Sequence, residues 1–544
     1  MISGLPETWD EVADVVIVGS GGAALTAATL AADGGASVIV LEKDSMIGGT
    51  TAVSGGVIWI PANHHMAEAG LEDSIEEGVE YASRLAAGSD HDPALLRAVL
   101  KAAPEMLAYL ESKTPVKMGM LAYFPDYYFA YDVPGKKGGG RSLEPIPYPV
   151  GIELPDWVDK LASRTTLMSL GATTTLAEDL GMAPSTPEEI AARVAGDVRS
   201  KGAALIAMLT KGLLERGVSL RLSSPASELV MNDGAVVGVA VGGNGGSRRL
   251  IGARKGVVLA CGGFEWNKEM VRAHIGHDIF PVTPPNNVGD GLVMAQEAGA
   301  DLGNLRSFWG TGAMFDPTIT RDGELVPQFD CARGMAGTIV VNKLGHRFVN
   351  ESVPYNDFPK AFATFDPAAL DFPNHPPAWM IFTEDIRRQL VILSSQPDQP
   401  APAWMITAAT IGELAERIGV PAENLERTVA RFNEYAAEGR DPDFGRPLGF
   451  PGSQLGPIGE APYYAVQILP GTLGTNGGPR VTTDAQVKSA RGGVVPGLYA
   501  AGNTMANAFG WAYPSGGGTI CNAMTTGYLA GRHVAEQPAR PIER

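Results

Sequence analysis

At 544 residues, 45% of them hydrophobic and 19% charged, the chain has the material for a large core and exceeds the size at which one core usually stops growing. That excludes a disordered chain and predicts two domains. A formal net charge of −18 lacks the basic surface on which phosphate neutralisation rests, so nucleic acid is excluded as a partner.

Met1 to Asp14 has no basic start followed by an apolar stretch, so no export signal is expected. The cysteines Cys261, Cys331 and Cys521 are too few and scattered for a disulfide framework or a metal site, which fits a reducing cytoplasm. No apolar run approaches the roughly 18 residues that cross a bilayer, so a cytoplasmic protein is expected, with membrane contact at most peripheral.

In chain order, Asp14 to Val18 reads as a strand, the glycines after it as a tight turn, Ala23 to Ala32 as a helix stopped by Asp33-Gly34-Gly35, and Ser37 to Leu41 as a second strand ending at Glu42. That order opens a parallel sheet with right-handed crossovers. Asp73 to Ser112 reads as helical. The aromatic and Gly/Pro-rich stretch Leu121 to Pro149 and the stretch Pro155 to Pro187 read as functional inserts.

Ser219 to Val241 predicts strands around the hairpin signal Asn232-Asp233-Gly234, and Lys255 to Ala260 a buried strand before Cys261-Gly262-Gly263. From about Ala300 to Leu473 the texture changes to Trp and Pro clusters, with one helix expected from Thr410 to Ala437. Glycine-rich strand signals then return, Gly497 to Gly502, before a helix from about Ile520 to Ala535. The expected architecture is α/β: a Rossmann-like dinucleotide domain, discontinuous over residues 1–295 and 475–544, with an inserted α+β substrate domain over 296–474.

Val15-Val-Ile-Val-Gly19-Ser-Gly21-Gly-Ala-Ala24 is a phosphate-binding turn: Gly19 for the bend, Gly21 for close approach of a pyrophosphate, Ala24 where helix meets strand. Glu42 follows about 20 residues on, where a carboxylate accepts both ribose hydroxyls and disfavours a 2′-phosphate. Gly48-Gly-Thr-Thr51 and Ser54-Gly55-Gly56 come directly after it. Small and hydroxylated residues there suit the remaining phosphate, ribitol and ring of FAD, which a nicotinamide domain does not need.

With these stretches and three more, Lys255 to Phe264, Gly345-His-Arg-Phe-Val-Asn-Glu351 and Gly497 to Gly518, the chain resembles the FAD-dependent succinate dehydrogenase and fumarate reductase flavoproteins. Over nearly its whole length it is most similar to their 3-ketosteroid Δ1-dehydrogenase branch. Pro125-Asp126-Tyr127, Asn350-Glu-Ser-Val-Pro-Tyr355 and Tyr513-Pro-Ser-Gly-Gly517 match that branch's motifs. The resemblance implies that Tyr513 and the Gly517 amide hold the ketone oxygen and that Tyr355 removes the C2 proton. Tyr127 would support Tyr355, and flavin N5 would accept the C1 hydride.

It also implies noncovalent FAD, since no histidine falls near Thr50 to Val53 and His64 and His65 come too late. Cofactor contacts are expected at Gly19, Ser20, Gly21, Gly22, Ala23 and Ala24, then at Glu42 and Lys43. Gly49, Thr50, Thr51, Ser54, Gly55 and Gly56 follow, and later Ala226, Gly262, Gly263, Gly502, Asn503, Gly518 and Ile520. The implied partners are a steroid or other cyclic ketone and an external electron acceptor that no motif identifies.

The chemistry is consistent with these residue types. A hydrogen α to a ketone is a far weaker acid than tyrosine at about 10, and each unit of mismatch costs about 1.4 kcal/mol. Two preorganised donors on the oxygen, each worth roughly 3–4 kcal/mol, close part of that gap. Tyrosine lines a steroid pocket without burying a permanent charge.

Ser515 stands where the branch has glycine, a hydroxyl able to reshape the pocket toward the 4,5-desaturation of 5α-reduced ketosteroids. Tyr123 and Tyr128 compete with Tyr127 for its role. A fumarate-reductase-like rival would use Arg306, Arg333, His346 and Arg347 to pair carboxylates, though structural ion pairs are the commoner use of such residues. A third reading is a flavin-fold binding protein without turnover.

Overall fold

The computed structural model describes residues 1–162, 173–242, 248–321, 323–330, 332–447 and 455–542. Part of the predicted insert Pro155 to Pro187 and Cys331 lie outside the described residues. A nine-stranded sheet organises the first part of the chain and its return. Its parallel heart contains β1 (Glu11–Val18) and β2 (Val38–Leu41), followed in sequence by β3 (Ile58–Trp59) of a separate small sheet.

Between β1 and β2 runs α1 (Gly22–Asp33); after β3 come the short α2 (His64–Glu68) and the long α3 (Pro93–Lys113). To the large sheet also belong β4 (Arg249–Leu259) and β5 (Val494–Ala500), and the last helix, α4 (Gly518–Glu536), packs on α1. Val15, Val16 and Ile17 of β1 are fully buried, each worth about 1.5–3 kcal/mol.

Register positions the site. Val18 pairs with Leu41 and with Leu259, and Leu259 pairs with Ala500, all in parallel. The carboxyl ends of four strands therefore share one rim, from which Gly19, Glu42, Ala260 and Ala501 lead off. Such a rim is where open α/β sheets bind ligands.

A second, mostly antiparallel sheet of seven strands is built on Tyr463–Thr475, flanked by Phe308–Arg321 and Ala378–Thr383. Phe280–Pro281 joins this sheet from earlier in the chain.

The hairpin at Asn232-Asp233-Gly234 is present as a two-residue connection between Ala226–Asn232 and Ala235–Val241, with φ of +48° at Asp233 and +78° at Gly234. The helix expected from Thr410 to Ala437 is two helices, Ile411–Ile418 and Ala422–Ala437. Gly419 at φ +72° caps the first and Pro421 cannot continue it, a stop signal that the apolar periodicity on both sides outweighed. The strand expected from Lys255 begins at Arg249, extended by pairing with Ala235–Val241. Among the described residues no helix is long and apolar enough to cross a membrane.

Candidate active site

A cavity of about 620 Å³ opens along the rim and runs to the second sheet. Every residue expected to contact the cofactor lines it except Ala24, Gly263 and Gly518, which stand just behind its wall. Ala24 is wholly buried, a Cβ on Gly263 would meet the Thr475 hydroxyl at 2.2 Å, and one on Gly518 would meet the Pro514 ring at 3.0 Å.

Gly19 turns at φ +108°, where a Cβ would lie 2.3 Å from the Ala260 carbonyl, so the bend tolerates only glycine. Gly21 caps α1 without a side-chain acceptor; the Gly22 amide donates to the Thr51 hydroxyl at 3.1 Å, and Ala23, next in the first turn, lines the cavity at the helix's anion-binding end. The Ser20 hydroxyl donates to Glu42 at 2.5 Å and accepts from the Gly48 amide at 2.9 Å, tying the first glycine turn to the second. Burial raises the Glu42 carboxyl, and the Asp44 amide at 2.8 Å opposes that rise. A helix N-terminus at one end, a buried carboxylate beside β2 and small residues between fit an FAD.

At the far wall three phenols meet. Tyr127 and Tyr355 have ring centroids 5.2 Å apart, Tyr355 and Tyr513 5.3 Å, and Tyr127 and Tyr513 5.8 Å in a near-parallel stack. Tyr355 hydrogen-bonds both of the others. The Tyr513 hydroxyl also accepts from the Gly517 and Thr519 amides, so that phenol and the Gly517 N–H already converge on one point. Burial is the largest effect on all three phenols and raises them, Tyr127 and Tyr355 well above the ordinary tyrosine value.

Each phenol is positioned by long-range contacts. The Tyr127 amide donates to the Pro514 carbonyl at 3.1 Å, and neighbouring Asp126 is gripped by Trp59 and Arg141 at 2.7 and 2.8 Å. Asn356 accepts from the Gly310 amide at 2.9 Å and donates to the Trp511 carbonyl at 3.0 Å, fixing the chain beside Tyr355. Trp309 stands edge-on to Tyr513 at 5.2 Å. Gly517, at φ +102°, is the N-cap of α4, and the Thr519 amide of its first turn bonds Tyr513, so the positive dipole end of the helix lies beside that phenol.

The competing tyrosines are elsewhere. Tyr123 is 85% exposed and Tyr128 donates to Asp357. The Ser515 hydroxyl bonds the Pro125 carbonyl at 3.2 Å and does not line the cavity, so it does not reshape the pocket as its sequence position suggests.

Of the arginines, Arg347 is buried in ion pairs with Glu351 and Asp441 and does not itself line the cavity, although Glu351 does, whereas Arg333 lines the cavity while bonded to the Glu351 and Val353 carbonyls. Cys261 and Cys521 are pushed up to about 12 by burial and are inert thiols.

Sequence reasoning missed the wall contributed by the hairpin of the second sheet, Arg321 and Phe329, and by the turn after it, Asp330 and Met335. It also missed Glu265, buried behind the cavity-lining Asn287 and Thr283 and hydrogen-bonded by both and by Thr475. None carries a local signal, because each reaches the site only through the meeting of the two sheets.

A model of the FAD binding domain family matches residues 14–520. The chain is 38% identical to the 4-oxocyclohexanecarboxylate 2-dehydrogenase of Sinomonas cyclohexanicum over 97% of this chain and 93% of that one. It is 34% identical to the 3-oxosteroid 1-dehydrogenase of Mycobacterium tuberculosis, covering 97% and 99%. The crystal structure of 3-ketosteroid Δ1-dehydrogenase from Sterolibacterium denitrificans, in complex with 1,4-androstadiene-3,17-dione, superposes with a TM-score of 0.87 at 33% identity over 96% and 99% of the chains.

Proposed function

Because this chain belongs to the FAD-binding flavoproteins, in the branch of the 3-oxosteroid 1-dehydrogenases, and is an FAD-dependent oxidoreductase, we propose that it desaturates 3-ketosteroids between C1 and C2. One observation carries this reading: the Tyr513 phenol and the Gly517 N–H are paired on the cavity wall, so that an entering ketone oxygen can take both hydrogen bonds, with the Tyr355 phenol beside them on the cavity that the dinucleotide turn also lines. We propose with it that residues 1–295 and 475–544 form the cofactor unit and 296–474 the substrate unit, supported by the two separate sheets.

In this reading the ketone oxygen takes hydrogen bonds from the Tyr513 hydroxyl and the Gly517 amide, which stabilise the negative charge that grows there as the C2–H bond breaks. The Tyr355 oxygen receives that proton, and Tyr127 steadies the phenolate through their shared hydrogen bond. When bound, FAD supplies the two-electron acceptor for the hydride leaving C1. Phe329, Met335, Leu176, Leu180 and Val282 give the steroid an apolar wall and keep water from the phenols.

Raised by burial, Tyr355 rests as a neutral phenol at pH 7. Its basic form grows as pH rises, so kcat/KM is expected to climb through the alkaline range without levelling below about pH 10. A profile of kcat/KM that is flat or falling between pH 7 and 9.5 rules out this base.

A second reading has its own support. Arg321 and Arg333 line the same cavity, and the relative acting on 4-oxocyclohexanecarboxylate offers a small cyclic ketone bearing an anion that an arginine could pair. The experiment is anaerobic mixing of the yellow protein with 4-androstene-3,17-dione, 5α-androstane-3,17-dione and 4-oxocyclohexanecarboxylate in turn, with product identification. Bleaching by the first with a 1,4-diene product supports the steroid reading. Bleaching by the carboxylate alone replaces it with the second, and a 4-ene formed only from the 5α compound moves the reaction to the 4,5 bond.

A further inference from the structure

His64 and His65, too late in sequence to hold a flavin, converge on a single carboxylate. The Nε2 atoms of His64 and His65 lie 2.8 and 3.1 Å from Glu111 Oε2, with ring centroids 4.2 Å apart. Two consecutive residues face one oxygen where they open α2 directly after its Asn63 cap, α2 packing beside the strand Met118–Met120 that follows α3. The carboxylate itself is held: Glu111 Oε1 accepts the Met118 amide at 2.8 Å, and only 9% of the side chain is exposed. The Lys117 ammonium donates to the Glu111 main-chain carbonyl and not to its carboxylate.

Three donor atoms from two helices thus converge on one point, with the imidazole rings 4.2 Å apart. A divalent cation suits that convergence, because imidazoles bind it through their ring nitrogens and the carboxylate offsets half its charge. The spacing suits it. Ligands about 2.0–2.1 Å from a tetrahedral centre stand about 3.4 Å apart, so modest outward shifts of the two rings admit an ion, and all three donor atoms already lie within 4.8 Å of one another.

We propose that His64, His65 and Glu111 form a divalent transition-metal site, with Zn²⁺ the ion that the donor set favours. Two imidazoles and one carboxylate suit borderline cations and not Mg²⁺ or Ca²⁺, which take oxygen ligands. A fourth, solvent-side position stays open through His64, whose side chain is 37% exposed. The ion would cross-link α2 to α3. Since α2 follows β3 by four residues, and the Trp59 amide of β3 donates to the Gly517 carbonyl at 3.3 Å, the cross-link anchors a segment that packs behind the ketone-binding glycine.

The test uses the full FAD-loaded protein, stripped with a chelator and titrated with ZnCl2 by calorimetry, and with CoCl2 by visible absorbance to the red of the flavin bands. One Zn²⁺ per chain is expected, with a Co²⁺ spectrum of low coordination number. His65→Ala and His64→Ala are each expected to weaken Zn²⁺ at least tenfold, with the flavin spectrum and turnover of the chelator-treated enzyme unchanged. Both histidines are partly exposed, so these variants keep the fold where Glu111→Ala could lose it. Absence of stoichiometric binding, or equal Zn²⁺ affinity in wild type and both histidine variants, overturns the site.

Discussion

Tyr355→Phe is expected to lower kcat by about 10²- to 10⁴-fold, the range that a positioned proton-transfer group contributes, equivalent to about 3–5 kcal/mol of barrier. The substitution removes one oxygen and keeps the ring, so the edge contacts with Tyr127 at 5.2 Å and Phe329 at 5.5 Å survive. Bound FAD and binding of the product dienone should therefore change little, separating loss of chemistry from loss of fold. Tyr127→Phe should cost less, since in the proposed mechanism Tyr127 acts on the substrate only through Tyr355. Stopped-flow reduction of the enzyme under anaerobic conditions reads the step directly. A Tyr355→Phe enzyme reduced within tenfold of the wild-type rate removes Tyr355 from the reaction, whatever its position.

Gly517→Ala should slow turnover at least a hundredfold by a different route. At φ +102° an alanine costs about 1–2 kcal/mol of backbone strain, and its Cβ would lie 2.6 Å from the Ile58 carbonyl carbon and the Trp59 nitrogen, main-chain atoms that cannot step aside. Relief requires α4 to shift away from β3, which withdraws the Gly517 amide from the ketone oxygen. Loss of one such donor alone costs about 10²–10³ in kcat, and overpacking adds about 1–3 kcal/mol of destabilisation.

The expected result is a protein that melts lower than wild type and turns over at least a hundredfold more slowly. Gly35→Ala is the control, with φ +82° and nothing within 4 Å of the added carbon: it carries the strain without the clash and should keep full activity. If Gly517→Ala melts and turns over like Gly35→Ala, the close approach behind the ketone site is not the constraint argued here.

Asp357 and Tyr128 illustrate the limit of reading a chain in one dimension. Three tyrosines crowd the stretch from Tyr123 to Tyr128, chemically equivalent on paper. Only packing against Pro514 and Tyr355 separates the one that enters the cavity from the one turned to solvent and the one bonded to Asp357. Ser515 gives the same lesson in reverse. Its position suggested a pocket hydroxyl, yet the Pro125 carbonyl, nearly 400 residues earlier, takes its hydrogen bond.

By itself the sequence determined what depends on neighbours a few residues apart. The strand, glycine turn, helix, strand and Glu42 need only local torsions and a parallel return, the Asp233-Gly234 hairpin only two residues tolerant of positive φ, and both are read correctly from spacing. The break at Gly419 to Pro421 was legible too, and was overridden by the periodicity around it. Only the tertiary structure decided the geometry of the three phenols, the second sheet's contribution of Arg321 and Phe329, and the meeting of two histidines with Glu111. Those are contacts between segments tens to hundreds of residues apart, selected by which buried surfaces pack together, and such selection leaves no periodic trace in the chain.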